Sequence, residues 1–157
     1  MRVITHFNLI IILIFFIGAC SGGSEKASGP PGAKELPKTV AEAEKNYKDY
    51  KGVGPISSLS LPAEIDTAMA SSGKQVFDLK CTACHKTDAK FIGPAPKGIL
   101  DRRTPEWVMN MILNPDQMVI EDHLAKLLLM EYNGSPMANQ NLTEEEARAV
   151  LEYFRTL

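Results

Sequence analysis

From about Ala63 onward the apolar positions fall in helical register. Ile65, Met69, Gly73 and Phe77 recur every four residues with Val76 beside them, which predicts one helix with a single apolar stripe. Thr104-Pro105-Glu106 opens a second, with Thr as N-cap and Pro at the first helical position; its body runs from Trp107 to Leu113 and stops at Asn114-Pro115. A third is expected from about Glu121 to Tyr132, closed by Asn133-Gly134. In the fourth, Thr143 and Glu146 form a capping box, and Ala147, Val150, Leu151 and Phe154 follow the i, i+3, i+4, i+7 rule. No run alternates as a strand and no internal repeat is visible. The expected fold class is all-α, about four helices with substantial loops over residues 63–157. A unit of about 95 residues buries only a modest core on its own, so a large apolar prosthetic group would fill its middle.

Upstream the pattern is different. Arg2 precedes an apolar stretch from Leu9 to Ile17, and Gly18 and Ala19 lead into Cys20, the charged, apolar, small-residue order of a secretory signal. The stretch is well short of the ~20 apolar residues of a permanent membrane span. Ile17-Gly18-Ala19-Cys20 resembles the bacterial lipobox, in which the cysteine is lipidated and becomes the mature N-terminus. The alternative is an ordinary cleaved signal, or a short uncleaved anchor, with Cys20 incidental. Residues 1–19 are therefore read as a signal peptide and 20–62 as a lipidated, flexible tether, because Gly, Pro and Ser crowd SGGSEKASGPPGAKELPK and GVGPISSLSLP. Between them TVAEAEKNYKDYK is rich in helix formers without an apolar face of useful width, so only a transient helix is expected. If flexible throughout, about 40 residues span roughly 35 Å root-mean-square.

Composition narrows the class. A hydrophobic fraction of 45% and a charged fraction of 23% are those of a globular chain. A net charge of -2 and a pI near 5.9 argue against nucleic-acid binding through a basic surface, and a single apolar run excludes a polytopic membrane protein. The charge is unevenly spread. Residues 74–103 hold seven Lys/Arg against three Asp/Glu, whereas residues 104–157 hold three against nine.

The chemistry lies in Cys81-Thr82-Ala83-Cys84-His85, the C-x-x-C-H spacing used for c-type haem attachment. Two thiols separated by two residues reach the two vinyl groups on one edge of a porphyrin, and the next residue, His85, falls under the iron as proximal ligand. A dithiol redox site or half of a zinc site uses the same C-x-x-C. A zinc site needs more ligands, and only Cys20 and His123 remain. A thioredoxin-like site needs an α/β pattern, which is absent. The three cysteines divide into one for lipid and two for thioethers.

Taken in order, Gly73-Lys-Gln-Val-Phe77, Cys81 to His85, Gly93-Pro94, Pro136-Met137 and the last helix with Tyr153-Phe154 resemble a class I monohaem cytochrome c across about residues 64–157. The resemblance implies one covalent haem c with its iron. It implies that Gly73 lets the C-terminal helix cross the first closely beside Phe77 and Tyr153; a tolerated exposed glycine is the alternative. It implies that the Pro94 carbonyl accepts the Nδ1–H of His85, fixing the ring. Pro96, where the family often has leucine, is a departure. Met137 matches the family's axial methionine, and Met/His ligation raises the reduction potential; Met118, Met130 and His123 are rivals, Met130 being expected in the core and His123 solvated or capping. Trp107, Arg102 or Arg103 would contact a haem propionate, unless Trp107 packs the core and the arginines are solvated.

The expected function is a membrane-tethered, single-haem electron carrier and not an enzyme, lipid-anchored through Cys20 on the periplasmic side of a bacterial membrane. Its expected partners are redox proteins: a quinol-oxidising complex as donor, and a terminal oxidase or denitrification reductase as acceptor. No nucleic acid is involved. The alternatives are a haem sensor or peroxidase-like protein with an open sixth position, and a fixed cytochrome subunit of a respiratory complex.

Overall fold

The computed structural model describes residues 36–157. Among the described residues there are six α-helices, two single 3-10 turns and no strands. The all-α expectation holds, with more helices than the sequence pattern suggested.

Two helices far apart in sequence form the frame: α2 (Thr67–Lys80) and α6 (Glu144–Phe154). Asp66 caps α2 by accepting the Met69 N–H at 2.9 Å. Thr143 and Glu146 exchange both bonds of a capping box at the start of α6. The helices cross at Gly73, where an added Cβ would run into the backbone carbonyl of Ala149 and lie 2.7 Å from the Val150 nitrogen. Only a residue without a side chain allows this approach, so the helix-propensity loss of about 1 kcal/mol relative to alanine is accepted here. Three rings pack beside the crossing: Phe77 lies 5.6 Å from Tyr153 and 5.7 Å, edge-on, from Phe154.

The middle of the chain departs from the expected pattern. Thr104 caps α3 (Pro105–Leu113) by accepting the Trp107 N–H at 3.2 Å. Pro115 is not only a stop for α3. It is the first residue of a short helix, α4 (Pro115–Glu121), because a proline at N1 loses nothing by lacking an N–H. The expected helix from Glu121 to Tyr132 is broken at Asp122, whose extended backbone (φ -83°, ψ 126°) separates α4 from α5 (His123–Glu131). Asp122 accepts the Ala125 N–H at 2.8 Å and so caps α5. That helix ends as expected, at two left-handed residues, Asn133 and Gly134.

The flexible tether expected through residue 62 is corrected from residue 36 onward, since this segment is laid along the domain. Thr39 caps α1 (Val40–Glu44), and Ala43 on that helix is fully buried. Beyond it Tyr50, Val53, Ile56, Leu59 and Leu61 pack singly against the core. The backbone here is held by side chains of α3 and α4. The amide of Asn110, itself 1% exposed, donates to the carbonyls of Lys51 (3.0 Å) and Ile56 (2.9 Å) and accepts the Ile56 N–H (2.9 Å). Glu106 accepts the Leu59 N–H at 3.3 Å, and the Met118 sulfur accepts the Val53 N–H at 3.0 Å. Arg155 donates to the carbonyls of Pro62 (2.6 Å) and Ala63 (3.1 Å). The segment fixes its conformation through partners elsewhere in the chain, which is why its own sequence carries no periodicity. The signal peptide, Cys20 and residues 21–35 lie outside the described residues. No helix among the described residues is long and apolar enough to cross a membrane.

Candidate functional site

The paired cysteines sit where α2 unwinds. Cys81 is its C-cap, donating its N–H to Phe77 at 2.9 Å, and its carbonyl accepts the N–H groups of Cys84 (3.0 Å) and His85 (2.9 Å). The Thr82 hydroxyl donates to the Asp78 carbonyl at 2.9 Å. Both thiols are free, Cys81 half-buried and Cys84 exposed.

His85 is oriented by the loop that follows. Its Nδ1 lies 2.8 Å from the Pro94 carbonyl oxygen. A carbonyl only accepts, so Nδ1 carries the proton and Nε2 is left with a bare lone pair, the form that ligates a metal. The loop is closed by the Gly93 N–H donating to the Cys84 carbonyl at 2.9 Å. Gly93 is required there: a Cβ would strike the His85 ring, lying 2.8 Å from Nδ1 and 3.0 Å from Nε2.

Cys81, Cys84, His85 and Pro94 line one cavity of about 560 Å³, whose walls include Trp107, Val108 and Ile112 of α3 and Leu142 and Phe154 around α6. This volume lies within the ~300–1,000 Å³ of small-molecule and cofactor sites. Two methionines reach the lining, Met137 on the loop before α6 and Met111 on α3. The rivals are elsewhere. Met118 is fully buried under the N-terminal segment, and His123 lies 2.6 Å from the Pro37 carbonyl. Met130, expected in the core, is 66% exposed, because α5 turns Leu124 and Leu127 inward and Met130 outward. Pro96, the departure from the usual leucine, is buried and lines the cavity.

Trp107 corrects the expected propionate donor. Its indole N–H is given to Asp122 Oδ1 at 3.0 Å. Asp122 is a buried carboxylate that needs every donor it can reach, so a ring that packs the core also closes the joint between α4 and α5. Arg102 lines the cavity but spends its guanidinium on the loop, donating to the carbonyls of Ala95 (2.6 Å), Lys97 (3.0 Å) and Gly98 (2.8 Å). Arg103 is different. It is 2% exposed, bonded to Glu44 at 3.0 Å and to the Arg102 carbonyl at 2.5 Å, and stacked 5.3 Å over the Trp107 ring. Burial lowers its pKa, opposed by Glu44. Its Nε–H is buried without a partner among the described residues. Sequence reasoning missed Glu44, Asp122 and Asn110 as supports of the site; only the Asp122-x-x-Ala125 cap spacing carried a local signal.

A sequence profile described as Cytochrome c matches residues 70–157. The chain belongs to the cytochrome c family. Among its relatives, cytochrome c-551 of Ectopseudomonas mendocina is 31% identical over 88 residues, 55% of this chain and 99% of the relative. Cytochrome c-551 of Stutzerimonas stutzeri is 29% identical over 111 residues, 66% of this chain and 93% of the relative. The solved cytochrome c from Rhodothermus marinus is 46% identical with a TM-score of 0.63, covering 66% of this chain and 88% of that one. Membership brings a covalent haem c with its iron and the role of an electron carrier. The residues present fit that group: an apolar cavity, a thiol pair at its edge and an imidazole with Nε2 free. When bound, the haem supplies a one-electron ferrous/ferric couple. The chain's part is to hold His85 in one tautomer and exclude water with the walls of α3 and α6.

Proposed function

We propose that this cytochrome is a membrane-tethered shuttle that passes single electrons between respiratory partners on the periplasmic side of a bacterial membrane. In this reading Cys81 and Cys84 form the thioethers, His85 is the proximal ligand and Met137 the distal one. Cys20 carries lipid, and residues 1–19 are removed as a signal peptide. The carrying observation is the 2.8 Å contact between His85 Nδ1 and the Pro94 carbonyl, which leaves Nε2 free to ligate a metal. Met137 is favoured over Met111 because it lies on a loop free to adjust, whereas Met111 is fixed within α3.

The docking face supports the shuttle. Phe91 and Ile92 are half exposed beside the attachment site, and Lys86 lies 5.0 Å over the Phe91 ring. The excess of acid in residues 104–157 is weaker at the surface than the sequence suggests, since Glu106, Asp122 and Glu152 are buried and hydrogen-bonded. A basic, apolar-centred face steers acidic partners, a quinol-oxidising complex as donor and a terminal oxidase or denitrification reductase as acceptor.

The test is the absorption spectrum and midpoint potential of the matured wild type beside Met137→Ala. Loss of the red-edge band of Fe–S(Met) ligation and a lower potential are expected, since Met/His ligation raises the potential. A band and potential unchanged in the variant would pass the role to Met111, and a wild type without the band would favour the open-site sensor.

A further inference from the structure

The helix α1 has five residues, too few to stand alone, since isolated helices shorter than about 12–15 residues are marginal in water. It is held from both ends instead. At its start the Thr39 hydroxyl accepts the Glu42 N–H at 3.2 Å, and just upstream the Pro37 carbonyl accepts from His123 Nε2, on α5, at 2.6 Å. At its end Glu44 pairs with Arg103 at 3.0 Å. Its side is packed on α5. The whole helix precedes residues 70–157, the part of the chain that the family profile matches.

Val40, Ala43 and Glu44 share one face of α1, because residues three and four apart are neighbours on a helix. That face is turned inward: Ala43 is fully buried, while Ala41 and Glu42 are exposed. Val40 is only half-buried, and it lines the same cavity as His85. Its side chain is therefore open to the space that the haem fills. The other wall residues lie between Phe77 and Phe154, so among the described residues only Val40 and Glu44 reach the cavity from outside the family-matched part. Of these two, Val40 is the apolar one.

We propose that α1 is an added wall of the haem cavity, and that Val40 is the side chain by which it keeps water from the group and favours the ferrous form. The ferric site carries one more positive charge than the ferrous one. Water or a hydroxyl beside the cavity stabilises the more charged form, and apolar surface the less charged one. The ties at Pro37 and Glu44 matter because they hold a five-residue helix against the opening. The inference rests on the haem reading above and extends it to a segment outside the family profile.

The experiment uses full-length protein matured with haem, first checked for covalent attachment in the wild type; a wild type without it would overturn the haem reading itself. With haem present, Val40→Thr keeps nearly the same shape and puts a hydroxyl in place of a methyl. It is expected to move the reduction equilibrium roughly threefold toward the ferric form, lowering the midpoint potential by about 28 mV at 59 mV per tenfold for one electron. Val40→Ile keeps the wall apolar and should leave the potential at or above that of the wild type. Val53→Thr is the control: Val53 belongs to the same segment and packs against the core but does not line the cavity, so its potential should not move. If Val40→Thr does not accumulate, Val40→Ala opens the same wall and should lower the potential likewise. An unchanged potential in the Val40→Thr or Val40→Ala protein overturns the inference, even with a lower unfolding midpoint, because α1 would then be a purely structural element. An equal fall in Val53→Thr also overturns it, since general loosening would be the cause. So does an equal fall in Val40→Ile, which would make shape and not water the agent.

Discussion

Asn110→Ala removes a side chain that touches neither thiol nor His85, yet it should be among the more damaging single changes in the domain. The Asn110 amide makes three bonds to the N-terminal segment, at 3.0, 2.9 and 2.9 Å, and is 1% exposed. At about 1 kcal/mol net for each, and with alanine returning up to about 0.7 kcal/mol of helix propensity, the loss is about 2–3 kcal/mol. For a domain of this size that lowers the unfolding midpoint by about 10 °C. Denaturant unfolding of the matured protein gives the free energy, and amide hydrogen exchange locates it. The Ile56 N–H, which donates to Asn110 Oδ1, should lose protection first. Asn110→Asp is a sharper variant: nearly the same shape, but an acceptor now faces two carbonyls, so it should be at least as harmful as alanine. A loss under about 0.5 kcal/mol with Ile56 protection unchanged would refute the claim that these bonds hold the segment in place.

Gly73→Ala should destabilise despite alanine's advantage of about 1 kcal/mol in a helix, because its Cβ meets the Ala149 backbone and overpacking costs about 1–3 kcal/mol; a higher thermal midpoint would mean a looser crossing. Glu152 is 1% exposed, and burial pushes its carboxyl up, but hydrogen bonds from Arg155, Arg148 and the Asp66 N–H outweigh burial and hold it below the usual carboxylate range. A depressed carboxylate contributes stability that is fully present above its unfolded pKa and is lost as pH falls through the lower folded value. Glu152→Gln should therefore be less stable by roughly 3 kcal/mol at neutral pH, with the gap closing in acid; a gap that persists in strong acid would remove the charge from this account.

What could be read from the sequence was local. The caps at Thr104 and Thr143, the left-handed stop at Asn133-Gly134 and the Cys81-to-His85 spacing each depend on a few neighbouring residues, and each is found where the pattern put it. The failures involve distant partners. The run from Lys51 to Leu61 reads as linker because its order comes from Asn110, Glu106 and Met118, none of them nearby in the chain. Trp107 reads as a free donor because Asp122, its acceptor, is fifteen residues away across a break that periodicity does not register. Met130 reads as core because three leucines precede it, although helical rotation turns it to solvent. Arg102 and Arg103 are alike in sequence; only the fold gives one to loop carbonyls and the other to Glu44.

The meeting of Gly73 with the Ala149 backbone has a consequence for how the molecule comes apart. Everything between α2 and α6, including the attachment motif and the methionine loop, belongs to one long circuit that this contact closes. Such a closure is entropically expensive, so a chain in which it has not yet formed keeps its cysteines accessible until the final helix docks. Conversely, trimming by a carboxypeptidase past Ala149 would release the buckle, and solvent entry would follow from damage remote from the iron while the covalently held pigment stayed on the chain.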